Sequence, residues 1–257
     1  MSVLLALDSS TEHMALALLG QGHAAFVDAD GGALASQRMI PETMALLRQA
    51  GIALSDVAAI GFGRGPGAFT GLRTACSVAQ GLALGAGKPV LALDSLMLVA
   101  EDARQQLVAG GADPAAPLDL WVAMDARMNQ LYVGRYRWDG ARWQASTEPA
   151  LTDPGPLRAL WRDEAPAAVA GSALEAFELD TGAARRFPRT ASRARALGAL
   201  ALQAFEAGLA EDAANALPLY VRDKIALTTA ERQEAAEAAQ AAHAVQSAPS
   251  PHEVSHR

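Results

Sequence analysis

Residues 58–73 have the sequence AAIGFGRGPGAFTGLR, in which a compact apolar stretch, 58–62, leads into a glycine-rich segment. A short apolar stretch that ends in turn residues predicts a buried strand. After the segment we expect a helix over about residues 70–86, a strand over 90–93 and a helix over about 95–107, with Ser95 as the N-cap of that helix. Strands and helices that alternate in this way indicate an α/β fold.

The chain before this segment predicts strands and one helix. Three apolar stretches, 3–7, 14–19 and 23–27, stand at hairpin spacing and predict an antiparallel meander. Residues 36–50 predict an amphipathic helix, because their apolar side chains share one side, and Gly51 is a suitable stop.

The pattern breaks near residues 110–114, which are rich in glycine and end in proline, and we expect a domain boundary there. Beyond it, strands are predicted at 120–124, 130–138 and 167–170, and a helix at 193–207. Residues 230–245 favour a helix but have almost no bulky apolar side chain with which to dock, so we expect a solvated helix followed by a disordered tail.

The composition excludes several classes of protein. The net charge of −7 and the pI near 5.2 argue against a chain that binds nucleic acid through a broad basic surface. A single cysteine, Cys76, excludes an internal disulfide and a cysteine-based zinc cluster, and its apolar neighbours predict that it is buried. Without a basic leader or a long apolar segment, the chain is expected to be cytoplasmic, with no membrane contact.

Two segments are candidates for phosphate binding. Asp8 and Ser9 follow the first strand, where hydroxyl and backbone N–H groups can bind phosphate and a carboxylate can hold Mg²⁺, although the same residues are ordinary in turns. The glycine-rich segment precedes a helix and can present N–H groups to an anion, but it matches neither a Walker loop nor a dinucleotide-binding fingerprint. The alternative is a rigid connector, with Phe69 in the core and Arg73 paired with a carboxylate.

Asp125 ends a later strand as Asp8 ends the first, and two such carboxylates suggest duplicated halves around a nucleotide cleft, or else two solvent-facing turns. We therefore consider seven residues as candidate nucleotide or phosphate contacts: Asp8, Ser9, Gly65, Gly67, Thr70, Arg73 and Asp125. No metal site and no catalytic residue is predicted, because neither His13 nor His23 has a partner at ligand spacing.

The helix over 70–86 carries one charge, Arg73, and is apolar on nearly every side. Such a helix is expected to be buried all round, either by a second layer of helices or by another polypeptide. Together with the broad apolar side of the helix over 36–50, this predicts an interface between subunits. The candidate interface residues are Met39, Thr43, Leu46, Val78 and Leu82.

Residues 1–225 resemble the bacterial TsaB (YeaZ) family. The resemblance rests on six segments in order: LALDSSTE (5–12), GRGPGAFTGLR (63–73), QGLA (80–83), DSL (94–96), DARM (125–128) with Tyr132, and PLYVR (218–222). This chain departs from the family pattern at Ala68, where serine is usual, and at Ala35, where histidine is usual. The loss of that histidine weakens any assignment of metal or proton-transfer chemistry.

The resemblance implies an α/β fold of the actin/hexokinase/Hsp70 (ASKHA) type, built from two related α/β domains with mixed central sheets. The expected domains are 1–110, joined by a returning segment at about 190–225, and 111–189, followed by an alanine-rich tail at 226–257. It also implies a non-catalytic subunit that binds TsaD through its first two helices. With TsaD, the catalytic subunit, and TsaE, it would support transfer of a threonylcarbamoyl group to N6 of the adenosine next to the anticodon in tRNAs that read A-starting codons.

In that reading, tRNA is bound only through the complex. No cofactor is held tightly by this chain alone, and ATP or ADP with Mg²⁺ belongs to the complex. From the residues themselves, two alternatives stay open. One is a standalone enzyme of the same fold, a phosphotransferase or a peptidase, and the other is a homodimeric scaffold that uses the same helices.

Overall fold

The structure is a computed structural model, and it describes residues 2–222. The predicted helix at 230–245 and the predicted tail lie outside the described residues. In chain order the elements are β1 (Val3–Asp8), β2 (His13–Gly20), β3 (His23–Asp30), α1 (Ala35–Ala50), β4 (Val57–Gly65), α2 (Phe69–Ala86), β5 (Val90–Asp94), α3 (Ser95–Ala109), β6 (Leu118–Asp125), β7 (Leu131–Trp138), β8 (Trp143–Ala145), β9 (Ala150–Thr152), α4 (Pro154–Asp163), β10 (Ala168–Ala170), α5 (Ala173–Ala176), β11 (Arg185–Phe187) and α6 (Arg193–Glu206).

The first sheet has the strand order β3-β2-β1-β4-β5. β1, β2 and β3 form an antiparallel meander, as predicted, whereas β4 and β5 run parallel to β1. Asp8, at the end of β1, and Gly65, at the end of β4, therefore lie at the same edge of this sheet, where the carboxyl ends of parallel strands meet.

The second sheet repeats the first. Its order is β8-β7-β6-β10-β11, with an antiparallel meander of β6, β7 and β8, and with β10 and β11 parallel to β6. Asp125 ends β6 as Asp8 ends β1. This duplication confirms the fold class, which is the actin/hexokinase/Hsp70-like fold of two related α/β halves.

The helices α3 and α6 lie between the two sheets. One core cluster contains Leu4 and Ala17 of the first sheet, Leu120 and Val122 of the second, and buried residues of both helices. A second cluster joins the opposite side of the first sheet to α1 and α2, and a third joins the opposite side of the second sheet to α4 and α5. The boundaries predicted at residues 110 and 189 stay a prediction, although α6 does pack against β1, β2, β3 and β5.

The predicted helices over 36–50 and 70–86 are confirmed, and each ends at a glycine with positive φ, Gly51 and Gly87. The prediction for the start of α3 was wrong. Its N-cap is Asp94, whose carboxylate accepts hydrogen bonds from the backbone N–H groups of Leu96 and Met97, and Ser95 is the first helical residue. The described residues leave one side of α2 exposed, so they do not bury this helix all round, and burial of that side by another polypeptide stays a prediction.

Candidate functional site

The candidate site is built around Asp8, at the end of β1. Its carboxylate is fully buried, and its Oδ2 atom accepts hydrogen bonds from Nη2 of Arg193 at 2.8 Å and from the hydroxyl of Ser10 at 3.1 Å. The hydroxyl of Ser95 lies 3.4 Å from Oδ1. Arg193 is 3% exposed and also donates to Oγ of Ser10 at 2.9 Å. The chain itself therefore supplies the cation that neutralises Asp8.

Arg193 is the functional residue that the sequence analysis missed. It is the first residue of α6, at the end of the helix where the helix dipole disfavours a positive charge. A cation at that position needs an anion nearby. The position of Arg193 at the start of a predicted helix was the sequence signal that could have indicated a buried ion pair. The anion comes from the far end of the chain, because Arg193 and Asp8 are 185 positions apart.

The glycine-rich segment packs against the turn that follows Asp8. The N–H of Ala68 donates to the carbonyl of Ser10 at 2.7 Å, and the hydroxyl of Ser9 donates to the carbonyl of Gly71 at 2.8 Å. A Cβ atom added at Gly67 would overlap Ser10, and one added at Gly71 would overlap the carbonyl of Ser9. These glycines thus allow two backbone segments to touch, and they favour the interpretation as a rigid connector.

The connector interpretation also placed Phe69 in the core and paired Arg73 with a carboxylate, and these two details are wrong for the described residues. Among residues 2–222, Arg73 pairs with no carboxylate. Its guanidinium lies 3.8 Å from the centre of the Phe69 ring, and its Nε donates to the hydroxyl of Tyr220 at 2.9 Å. Phe69 is only partly buried, and Thr70 is exposed beside it at the start of α2.

A second buried carboxylate, Asp94, lies next to this segment. The hydroxyl of Tyr136 in β7 donates to its Oδ2 at 2.9 Å, so the contact joins the two halves of the fold. Burial raises the pKa of the Asp94 carboxyl above its ordinary value, against the opposing effect of the hydrogen bonds that it accepts from Tyr136, Met97 and Leu96. Burial and the nearby carboxylate of Asp94 also raise the pKa of Tyr136. Ser95 donates to Asp8 and accepts from the N–H of Gly65, so it links the two carboxylate sites.

Asp125, at the end of β6, has hydrogen-bond partners of its own. Its carboxylate accepts from the N–H of Arg127 at 2.8 Å and from Nη1 of the same residue at 3.3 Å. Residues 127–129 all have positive φ and form the tip between β6 and β7. Within residues 2–222, the hydrogen-bond partners of Asp125 differ from those of Asp8, so the two candidate contacts belong to separate hydrogen-bonded groups.

The predicted interface residues divide into two groups. Met39, Thr43 and Leu46 are buried in the chain's own core, and Val78 and Leu82 are partly buried against it. A partner surface cannot contact the first three, because they face the first sheet.

The exposed sides of α1 and α2 include other apolar residues and glycines, which we call the outer face: Ile40, Met44, Gly81, Leu84 and Gly85. Ile40 is 49% exposed and Leu84 is 60% exposed. A Cβ atom at Gly81 or Gly85 would meet nothing within 4 Å. The helix periodicity predicted the correct helices, but it could not decide which side of each helix the sheet covers.

Two features are absent from residues 2–222: a cluster of metal ligands and a helix that could cross a membrane. In the part of the chain that the structure describes, no three side chains of histidine, cysteine, aspartate or glutamate come together as metal ligands. No helix among the described residues has the length and apolar character needed to cross a membrane.

Known proteins resemble this chain in both sequence and structure. The family model described as "TsaD: tRNA N6-adenosine threonylcarbamoyltransferase" matches residues 33–254. The solved structure of YeaZ from Pseudomonas aeruginosa is 35% identical, covers 86% of this chain and 100% of its own, and superposes with a TM-score of 0.74. The chain belongs to the TsaB (YeaZ) family. This membership confirms the resemblance drawn from the sequence motifs.

Curated relatives that carry the TsaB name include proteins of Haemophilus influenzae and Escherichia coli. The chain is 38% identical over 132 residues to the tRNA threonylcarbamoyladenosine biosynthesis protein TsaB of Haemophilus influenzae, a match that covers 51% of this chain and 52% of the relative. It is 33% identical over 158 residues to TsaB of Escherichia coli, where the match covers 58% of this chain and 63% of the relative. The match therefore spans between half and two thirds of these TsaB proteins.

Proposed function

We propose that this chain is a non-catalytic subunit of the machinery that transfers a threonylcarbamoyl group to N6 of the adenosine next to the anticodon of tRNA. Its partners in this proposal are TsaD, as the catalytic subunit, and TsaE. The names of the relatives and of the matching family model support a role in this modification. The arrangement around Asp8 supports the non-catalytic part.

The observation that carries the proposal is the pairing of Asp8 with Arg193. A carboxylate that is to hold Mg²⁺ or orient water must present free lone pairs to the cleft. Here the guanidinium of Arg193 neutralises the carboxylate, and the hydroxyls of Ser10 and Ser95 lie against it. The adjacent Ser10 and Ser9 lie so close to Gly67 and Gly71 that a Cβ atom at either glycine would overlap them.

The residues at Asp8 therefore do not fit Mg²⁺ with a nucleotide phosphate. We propose that the isolated chain holds no nucleotide tightly, and that ATP or ADP with Mg²⁺ enters only in the assembled complex. Thr70 and Arg73, which are exposed at the start of α2, remain the candidate contacts for such a nucleotide.

The outer face supports the role as a partner subunit. Large exposed apolar side chains on two neighbouring helices are a feature of protein interfaces. Gly81 and Gly85 lower the helix propensity of α2 without serving any contact inside the described chain. Without a Cβ, they let the backbone of a second helix approach closely. We propose that TsaD docks on this face.

The docking is tested with a double variant, Ile40→Glu with Leu84→Glu, in the full chain. Both positions are exposed, so the fold should be kept, while two buried charges at the interface should weaken TsaD binding at least about 100-fold. Leu209→Glu is the matched control, because Leu209 is an exposed leucine outside the outer face.

Binding would be measured by calorimetry and by the mass of the complex in solution. Equal affinity of the double variant and the control would contradict docking on the outer face. If the wild-type chain forms a homodimer that the same double variant disrupts, the face is shared by two partners. TsaD should then displace the second copy.

A further inference from the structure

Residues 211–221 run along α2 without forming a regular helix or strand of their own, apart from one short 3₁₀ turn at Ala213–Asn215. They begin with a bridge between Glu211 and Val90 at the start of β5. They then pass the middle of α2, where the side chain of Gln80 donates to the carbonyl of Ala213 at 3.0 Å. They end beside the first turn of α2, at Tyr220. We call residues 211–221 the strap.

The far end of the strap is attached at two points. The N–H of Leu219 donates to the carbonyl of Arg64 at 2.6 Å, in the glycine-rich segment. The ring of Tyr220 lies 5.1 Å from the ring of Phe69, and its hydroxyl accepts the hydrogen bond from Arg73. The guanidinium of Arg73 stacks on Phe69, so one cation and two aromatic rings form a single cluster.

Between its ends the strap is weakly anchored. Its buried apolar residues are Ala213 and Ala216, and each alanine removes little apolar area from water. Leu217, the largest apolar side chain in this part of the strap, is 72% exposed. Segments with few buried apolar contacts open at lower free energy than the core does. The cluster of Arg73, Phe69 and Tyr220 is therefore the strongest attachment of the strap.

We propose that residues 211–221 are a releasable strap, latched by Arg73 and Tyr220, that holds α2, which carries Gly81, Leu84 and Gly85 of the outer face, in the position needed for docking. The part about docking rests on the proposed function, whereas the release of the strap does not. When the strap is attached, Glu211 joins it to Val90 at the start of β5, just beyond the end of α2, and Tyr220 joins it to Arg73 near the start of α2. When it is released, the first turn of α2 and the glycine-rich segment lose their outer contacts.

Cys76 reports on this release. It is the single cysteine of the chain, it is buried in α2, and its thiol donates to the carbonyl of Ala216 in the strap at 3.4 Å. Burial raises the pKa of this thiol, which lowers its reactivity while it is covered. A thiol reagent should reach Cys76 when the strap lifts from α2.

The experiment compares the rate at which a thiol reagent labels Cys76 in the full wild-type chain and in the Tyr220→Ala variant, without denaturant. Loss of the ring and of its hydrogen bond should raise the labelling rate about 5- to 30-fold. Tyr220→Phe keeps the ring and should raise it only about 2- to 5-fold. Leu217→Ala, on the same strap, is the matched control and should leave the rate unchanged.

An unchanged rate in Tyr220→Ala, or an equal rise in Leu217→Ala, would overturn the latch. The urea midpoint of each variant separates release of the strap from global unfolding, and a rate that simply follows the midpoint would overturn the strap as an independent unit.

Affinity for TsaD tests the second part of the proposal, and Tyr220→Ala should reduce it about 3- to 10-fold. Faster labelling with unchanged affinity would overturn the link to docking alone. If the wild-type chain does not bind TsaD, the proposed function fails, and the labelling result still decides the strap.

Discussion

The buried pair of Arg193 and Asp8 shows how one residue can change the use of a site. A carboxylate at the end of a β-strand is well placed to bind a cation, but burial of an uncompensated charge costs several kcal/mol. The guanidinium of Arg193 supplies that compensation permanently and ties the start of α6 to the end of β1. This pairing supports the proposal that Asp8 serves the structure and does not take the phosphate-binding role that its position suggests.

Replacement of Arg193 by an uncharged residue should lower the stability of the fold. Arg193→Met leaves Asp8 buried without a counter-charge and should lower the free energy of unfolding by roughly 3–5 kcal/mol. Arg195→Met is the control from the same helix, since Arg195 is exposed and stacks on Phe26. Arg195→Met should lower the free energy of unfolding by about 0.5–1 kcal/mol. Urea unfolding measures both values.

The double variant Asp8→Asn with Arg193→Met should lose less stability than the sum of the two single changes, because each single change leaves one group of the pair unpaired. Additive losses, or equal losses for the variants at Arg193 and Arg195, would contradict the compensating role of Arg193.

Asp94 predicts a pH dependence of stability. Burial raises its pKa in the folded chain above the ordinary value near 3.9, so the folded chain holds this proton more tightly than the unfolded chain does. The resulting stabilisation is fully present below the unfolded-state pKa and is lost as the pH rises through the folded-state pKa. Asp94→Asn lacks this titration but keeps a residue that can cap α3.

The wild-type chain should therefore lose stability relative to Asp94→Asn as the pH rises above about 4, the ordinary pKa of an aspartate. Urea unfolding curves across this range measure the difference. A difference that is constant, or one that changes in the opposite direction, would contradict the assignment.

At the scale of the element, α2 combines glycines of two kinds. Gly71 lies where a Cβ would overlap the carbonyl of Ser9, whereas Gly81 lies on the outer face with open space around it. Gly71→Ala should therefore destabilise the chain by about 1–3 kcal/mol through overpacking. Gly81→Ala, in the same helix, should stabilise the isolated chain by up to about 1 kcal/mol through helix propensity. Thermal or urea unfolding checks the opposite signs, and a change of the same sign in both variants would contradict this account of α2.

The elements themselves were largely predictable from the sequence. Apolar periodicity predicted α1, α2, α3, α6 and the first meander, because local patterns decide which segments become helices and strands. The side-chain contacts between residues far apart in the sequence were not predictable. Asp8 meets Arg193, and Arg73 meets Tyr220, only after the sheets and the last helix have assembled. The N-cap of α3 was assigned to Ser95, whose hydroxyl instead bridges Gly65 and Asp8.

At the scale of the whole molecule, two sheets with the same order of five strands share one core with α3 and α6 between them, and the second sheet has one further strand, β9, paired with β7. This duplication followed from the family resemblance and from the two strand-terminal carboxylates, although the structure keeps those carboxylates in separate contacts. The chain carries a net charge of −7, which opposes contact with a polyanion.

The isolated chain should therefore bind tRNA negligibly at moderate salt, because phosphate contacts require clustered positive charge. A filter-binding assay with labelled tRNA tests this expectation. Submicromolar binding by the chain alone would contradict it.

The most direct test of the proposed function is tRNA modification reconstituted from TsaD, TsaE, tRNA and a source of threonylcarbamoyl-adenylate, with and without this chain. The account predicts modification that requires the chain, is lost with the Ile40→Glu and Leu84→Glu double variant, and is kept with Leu209→Glu. Modification that proceeds equally well without the chain would contradict its role as a required partner subunit.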